Sequence, residues 1–205
     1  MRRLELEIST KCTIKCPACP RTYQKPRSEW NTGFLNKDLI TKAISGGQYD
    51  VVTMCGAYGD AIYHPDFIEI MRNVCQVRQK IIVETNGAHR DKNFWQQIAD
   101  LPWGPKKVFL FSIDGLEDTN HIYRKNSNWD SIITAVKTLR AASPRPYVVW
   151  RMLVFPYNEH QVDEARELSK ELGFDAFRVQ KSLRNYKKSW FENDEERRAI
   201  DWNYS

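Results

Sequence analysis

The sequence predicts an α/β fold, a parallel sheet with helices outside it, and three observations lead there. Six short apolar runs are spread along the 205 residues, and stretches of helical periodicity lie between them. Parallel neighbours need crossover connections of about the length those stretches supply. Segments rich in cysteine, glycine and polar residues fall directly after the runs, at the edge where parallel α/β folds place their chemistry. Repeated right-handed crossovers can curl such a sheet toward a barrel. Periodicity alone leaves an open barrel and a flat doubly wound sheet equally admissible.

The elements follow in order. Leu4–Ile8 reads as the first strand and Lys37–Ser45 as a helix. The β-branched run Val51–Cys55 is the second strand. A helix over Asp66–Arg78 follows, with Pro65 or Asp66 near its first turn and His64 as a loop residue; Cys75 on this helix is a core residue. Ile81–Glu84 is the third strand, Asn86-Gly87 a turn and Lys92–Ala99 a helix. The fourth strand is Val108–Ile113. Ile132, Val136 and Leu139 give helical spacing to Trp129–Ala142, and Tyr147–Phe155 is the fifth strand. Val162, Ala165, Leu168 and Leu172 mark a helix over Glu159–Leu172, with Asn158 placed as its N-cap and Gly173 as its stop. Phe177–Val179 is the last strand. Residues 1–180 are thus expected to form the core, and the charged residues 181–205 a final helix near Asn193–Ile200 and a tail that completes or covers it.

Composition narrows the function classes. Hydrophobic residues make up 41% and charged residues 28%, ordinary for one globular domain. No run approaches the ~20 apolar residues that span a bilayer, so the expected compartment is the cytoplasm. The net charge of +5 is modest, and its carriers are scattered or near the end (Arg184, Lys187, Lys188). That distribution gives little support to a nucleic-acid partner and suits an acidic electron-donor protein. Trp190, Trp202 and Tyr204 are read as packing or partner contacts. Five cysteines, three of them clustered, fit a metal site in a reducing compartment better than a disulfide framework.

Cys12, Cys16 and Cys19 form a C-x₃-C-x₂-C run directly after the first strand. Three thiolates suit an iron–sulfur cluster with one iron left open, since such clusters normally take four. Structural zinc would want a fourth Cys or His at a matching spacing, and Cys55 and His64 stand alone. A redox pair of Cys16 and Cys19 would leave Cys12 unexplained. Pro17 and Pro20 restrict the loop.

This run resembles the signature of the radical S-adenosylmethionine (radical SAM) superfamily, in which SAM chelates the open iron of a 4Fe–4S cluster. Two further segments, in the same order, resemble members of the SPASM and sulfatase-maturing type. Gly56-Ala57-Tyr58-Gly59-Asp60 is similar to the family's "GGE" segment, with Asp60 where Glu is commoner; the resemblance assigns Gly59 and Asp60 to SAM's amine. Ser112-Ile113-Asp114-Gly115, followed by His121 and Arg124, is similar to the SIDG…H…R stretch. It assigns Ser112 and Arg124 to SAM's carboxylate and ribose, with Asp114 a ribose contact or an orienting residue. Glu84-Thr85-Asn86-Gly87 matches the relatives' "TNG", which makes Glu84 and Asn86 candidate substrate contacts. Ala18 replaces the aromatic those proteins carry before the third cysteine, so adenine packing is looked for at Val154 and Phe155. Arg151, of opposite parity to Val154, is an anion site if it faces inward and a surface partner otherwise.

The resemblance implies a partial (β/α)6 TIM-like barrel and an enzyme. In that chemistry a reduced flavodoxin- or ferredoxin-type donor supplies an electron, SAM is cleaved to a 5′-deoxyadenosyl radical, and the radical takes hydrogen from a peptide or small-molecule substrate. No cysteine follows Cys75, so the auxiliary clusters of SPASM or twitch extensions are not expected within this chain. Glycyl-radical activating enzymes and a deazapurine carboxylate synthase are other short members, and they leave protein activation and ring chemistry open. A non-catalytic metal-binding or electron-transfer module is the reading outside enzymes. It gives Asp60, Ser112 and Arg124 nothing to do.

Overall fold

Six parallel strands lie side by side in the order in which the chain makes them: β1 (Arg3–Leu6), β2 (Val51–Met54), β3 (Lys80–Thr85), β4 (Lys107–Ser112), β5 (Tyr147–Val154) and β6 (Ala176–Lys181). That order decides between the two architectures, because a doubly wound sheet reverses direction partway. A sequential order curls one way, and the result is a partial (β/α)6 barrel in which, among the described residues, β6 does not pair with β1. This computed structural model describes residues 1–23 and 32–181. The expected helix near Asn193–Ile200 and the tail that carries Arg184, Lys187, Lys188, Trp190, Trp202 and Tyr204 lie outside the described residues.

Seven helices are described: α1 (Pro20–Tyr23), α2 (Lys37–Ser45), α3 (Phe67–Val74), α4 (Lys92–Ala99), α5 (Asn120–Tyr123), α6 (Trp129–Ala141) and α7 (Val162–Glu171). Period-two alternation divides each strand between two faces. Val52, Met54, Ile81, Val83, Phe109, Phe111, Val148, Trp150 and Met152 belong to the main core, with the apolar helix residues Ile40, Phe67, Trp95 and Val136. The opposite parity gives a second, smaller cluster of Val108, Leu110 and Val149 with Ile82 and Ala176. This aliphatic plug is the floor of the barrel. Beyond it, toward the carboxyl ends of the strands, the same face turns polar.

Asn36, Asp91 and Asn128 cap α2, α4 and α6 with their side chains, which satisfies donors a helix start leaves free. Gly173 takes a positive φ of 79° after α7, as a helix stop requires. Two expectations change. The third helix ends at Val74 instead of Arg78, and the Cys75 carbonyl accepts from Gly104 N at 2.9 Å. Asn158 does not cap a helix. Its Oδ1 accepts from Phe155 N at 2.7 Å, and its Nδ2 donates to the carbonyls of Asp114 and Leu153, both at 2.9 Å. It staples the ends of β4 and β5 together, and a short 3-10 turn, Glu159–Gln161, precedes α7.

The amino-terminal rim carries stabilising devices. Lys107 is buried, and its Nζ donates to the carbonyls of Val77, Gln79 and Pro105. Asp175 receives Arg140 at 2.8 Å, both terminal nitrogens of Arg145, and Val148 N at 2.8 Å. Burial would raise the Asp175 carboxyl, but Arg145, the Val148 amide and Arg140 outweigh it and hold it below the usual carboxylate value. A group depressed on folding stabilises above its unfolded pKa and loses that contribution as pH falls through the folded one. Asp175→Asn is therefore expected to cost about 1.5–3 kcal/mol at neutral pH. The difference from the parent should close as pH drops below about 4. Urea titrations across pH check this, and a pH-independent difference refutes it. No helix among the described residues is long and apolar enough to cross a membrane.

Candidate active site

The loop after β1 is held on three sides. Lys15 N donates to Lys125 O at 2.8 Å, Asn126 Nδ2 to Thr13 O at 2.8 Å, and Asp60 N to Lys11 O at 2.9 Å. Arg21, at the start of α1, bonds the Ile14 carbonyl. So anchored, the loop presents Cys12, Cys16 and Cys19 to one cavity of about 440 Å³ at the carboxyl end of the sheet, bordered also by Asp60, Ser112 and Arg124. Burial pushes the Cys16 thiol up to about 12, and burial with the nearby Asp60 charge pushes Cys12 to about 11. Buried thiols of this kind gain their charge by binding a cation. Among the described residues no group of three or more His, Cys, Asp or Glu is arranged for a single metal ion. The three thiols of this loop fit a polynuclear cluster with a vacant coordination position. Ala18 lies in the core between them. A fourth cysteine on the cavity border, Cys55, belongs to the loop after β2 and lies 4.0 Å from the Glu7 carboxylate.

The loop after β2 packs against this cluster loop backbone to backbone. A Cβ on Gly59 would sit 1.9 Å from the Ser9 carbonyl oxygen, a contact neither chain can relieve by moving a side chain. Gly59→Ala is expected to push the loops apart and cost at least the ~1–3 kcal/mol of an overpacked core. A lowered urea midpoint with reduced iron loading checks it; unchanged values refute it. Asp60, next in sequence, is buried. Its carboxylate accepts from Ile62 N at 3.2 Å, Thr85 Oγ1 at 3.0 Å, Asn86 N at 2.8 Å and Asn86 Nδ2. Burial raises it to about 6, against the lowering by these donors. It ties the β2 loop to the end of β3, and Asn86 Nδ2 also lies 3.6 Å from Cys12 Sγ.

Leu110 faces the floor, so Ser112, two residues on, faces the cavity. Register places Ser112 opposite Arg151. Arg151 faces inward: it donates to both oxygens of Glu84, at 3.1 and 3.2 Å, and to Ser112 Oγ at 2.9 Å. Asp114 is fully buried and stands behind the cavity wall. Its Oδ2 takes Arg124 Nε at 2.7 Å and its Oδ1 takes Leu153 N at 2.8 Å. Burial alone would lower Arg124, but Asp114 outweighs it and the guanidinium stays charged.

Gly59, Asp60, Glu84, Asn86, Ser112 and Arg124 all border the cavity with the three cysteines. Val154 does not. It shares the parity of Trp150 and Met152, which pack toward the helices, and the cavity residue on β5 is Leu153. Tyr123, packed on Phe155 with ring centroids 4.7 Å apart, is the aromatic bordering the cavity. His121 is exposed. His64 is buried, with Nδ1 accepting from Asp66 N and Nε2 against Leu35 O, which is a structural role. Glu7 was not anticipated. Its carboxylate accepts from the amides of Ala57, Tyr58 and Gly59. The alternation Leu4-Glu5-Leu6-Glu7-Ile8 placed Glu7 opposite the core face, and nothing in sequence tied it to a loop fifty residues away.

The chain is similar to known proteins in sequence and in fold. The Radical SAM superfamily model matches residues 6–169. A curated relative from Pyrococcus furiosus, the tungsten-containing aldehyde ferredoxin oxidoreductase cofactor-modifying protein, is 25% identical over 193 residues, covering 89% of this chain and 52% of its own. The chain thus spans about half the length of that relative. Among solved structures, SuiB of Streptococcus suis bound to S-adenosylmethionine superposes with a TM-score of 0.70 at 15% identity, over 98% of this chain and 43% of its own. anSMEcpe with bound AdoMet gives 0.64 at 15% identity (89% and 50%). Methylornithine synthase, PylB, gives 0.63 at 16% (89% and 53%). At such identities the superpositions speak for the fold. The family match covers most of the chain, and with it the chain belongs to the radical SAM superfamily, enzymes that use a 4Fe–4S cluster and S-adenosylmethionine.

Proposed function

We propose that this chain is the catalytic core of a radical SAM enzyme, with residues 1–180 as the working unit and a peptide or small molecule as substrate. The observation that carries the reading is the one cavity onto which the three thiols of the Cys12–Cys19 loop, Ser112 and the Asp114-paired Arg124 all open. When bound, the reduced cluster and SAM supply a 5′-deoxyadenosyl radical; the protein's part is to position, orient and exclude water.

Cys12, Cys16 and Cys19 hold the cluster. The backbone carbonyls of the Gly56–Gly59 loop receive SAM's ammonium group, and Asp60 anchors that loop to β3. Arg124, kept charged and fixed in orientation by Asp114, binds the carboxylate, as a planar guanidinium suits, and Ser112 adds a hydroxyl. Leu153 and Tyr123 supply the apolar wall for adenine. Substrate lies deeper, over the aliphatic floor, within reach of Glu84, Asn86 and Arg151. A peptide substrate is supported by SuiB, whose structure is also known bound to its precursor peptide. A reduced flavodoxin- or ferredoxin-type protein is the electron donor that the positive net charge suits.

The test is anaerobic. The full chain is reconstituted with iron and sulfide, reduced with dithionite and given SAM, and 5′-deoxyadenosine is measured. Its formation supports the proposal. Iron binding with no 5′-deoxyadenosine under any reductant leaves a metal-binding module instead.

A further inference from the structure

Three consecutive amides, those of Ala57, Tyr58 and Gly59, point into one carboxylate, that of Glu7. Ala57 N and Tyr58 N reach Oε2 at 2.9 and 3.2 Å, and Gly59 N reaches Oε1 at 3.1 Å. In extended chain successive N–H groups alternate in direction. Successive N–H groups on one side make a concavity that demands an anion. The chain supplies that anion itself, from the residue following β1 by one position. The peptide carbonyls must then point the other way. Ala57 O faces the cluster loop, 3.8 Å from Cys19 Sγ, and Gly56, Ala57 and Gly59 all border the cavity. Gly59, locked against the Ser9 carbonyl, fixes the loop's height above Glu7.

We infer that Glu7 is a positioning residue that sets the polarity of the Gly56–Gly59 loop, turning its amides down so that its carbonyls meet the ammonium group of SAM. The inference rests on the SAM reading above. The logic is electrostatic. An ammonium group needs acceptors, and a loop with flipped peptides would offer it donors. Glu7 also leaves a negative charge directly beneath the loop, of the sign that attracts the ligand's amine. Without the carboxylate, three amides lose their acceptor and no single orientation of the loop is favoured.

The test uses the full chain loaded with its cluster, Glu7→Gln beside the parent, and two ligands: SAM, and 5′-methylthioadenosine, which lacks the amino-acid arm. Iron content and visible absorbance are measured first and are expected to be unchanged. SAM affinity is expected to fall about tenfold or more, the equivalent of one good hydrogen-bonded contact, while 5′-methylthioadenosine affinity stays the same. Equal SAM affinity in the two proteins overturns the inference. So does an equal loss for both ligands, or a loss of iron, since each describes general damage. A parent protein that binds no SAM overturns the SAM reading instead. Should Glu7→Gln fail to fold, hydrogen exchange in the parent decides. Amides 57–59 protected before any ligand is added support a preformed loop, and rapid exchange there overturns it.

Discussion

Cys16→Ala is expected to leave a folded protein with no iron–sulfur absorbance and no 5′-deoxyadenosine formation, while Cys75→Ala keeps both. The asymmetry follows from placement. Cys16 opens onto the cavity beside Cys12 and Cys19, and the other cysteine bordering that cavity, Cys55, lies 4.0 Å from the Glu7 carboxylate in the loop after β2. An alanine offers iron nothing, and two thiolates do not retain a cubane that normally takes four. Cys75 ends α3 in the main core, where its Sγ lies 3.4 Å from Arg72 O. Its loss removes a small buried side chain and costs stability of order 1 kcal/mol. Iron and sulfide analysis, visible spectra and product chromatography read the two variants. A cluster retained in Cys16→Ala would show that Cys55 can take its place and that the triad is wrongly assigned.

Asp114→Ala is expected to be among the most destabilising single changes in the chain, about 3–5 kcal/mol, the range for breaking a buried ion pair from one side. Asp114 is fully buried and Arg124 nearly so, with side-chain exposures of 0% and 13%. Removing the carboxylate strands a charged guanidinium and also leaves Leu153 N without its acceptor. Asp114→Asn is the informative companion, because an amide oxygen can still receive Leu153 N while the ion pair is lost. Urea unfolding measures both. A loss below about 1 kcal/mol for Asp114→Ala would place Arg124 in contact with water and remove its orientation from the argument. In variants that remain folded, SAM affinity is expected to fall with the orientation of Arg124.

How much of this was legible beforehand depended on length and on alternation. Lys37–Ser45 and Lys92–Ala99 match α2 and α4 to the residue, because nine or eight residues hold enough turns to show a period. Pro20–Tyr23 and Asn120–Tyr123 are four residues each and have no period to read. The barrel is what the family resemblance implies, and the strand order carries it independently. In the site, parity aligns Leu110 with Ser112 but fails for Asp114: the strand ends at Ser112, and Asp114 does not border the cavity. On β5 that signal was masked. Val148, Val149 and Trp150 are apolar on both faces, as in buried parallel strands, so the pattern does not tell Val154 from Leu153, the residue that borders the cavity. Asn158 looked like a cap because asparagine before a helix usually is one, and its carbonyl partners at Asp114 and Leu153 exist only once β4 and β5 are side by side. Glu7 shows the same limit: its chemistry was visible, its partner was not.

The aliphatic floor of Val108, Leu110 and Val149 separates two jobs along one barrel axis. Below it sit Lys107 and Asp175, which hold strand starts together; above it sit the thiols, Arg124 and Arg151. Groups on opposite sides share no partner among the described hydrogen bonds, so changes made at the two ends should combine as independent free energies. The lower rim is thus a place where the chain can gain or lose stability over generations without disturbing what happens at the mouth. A lineage could use that freedom to vary residues on the cavity border, Glu84 and Arg151 among them, while its scaffold drifted underneath.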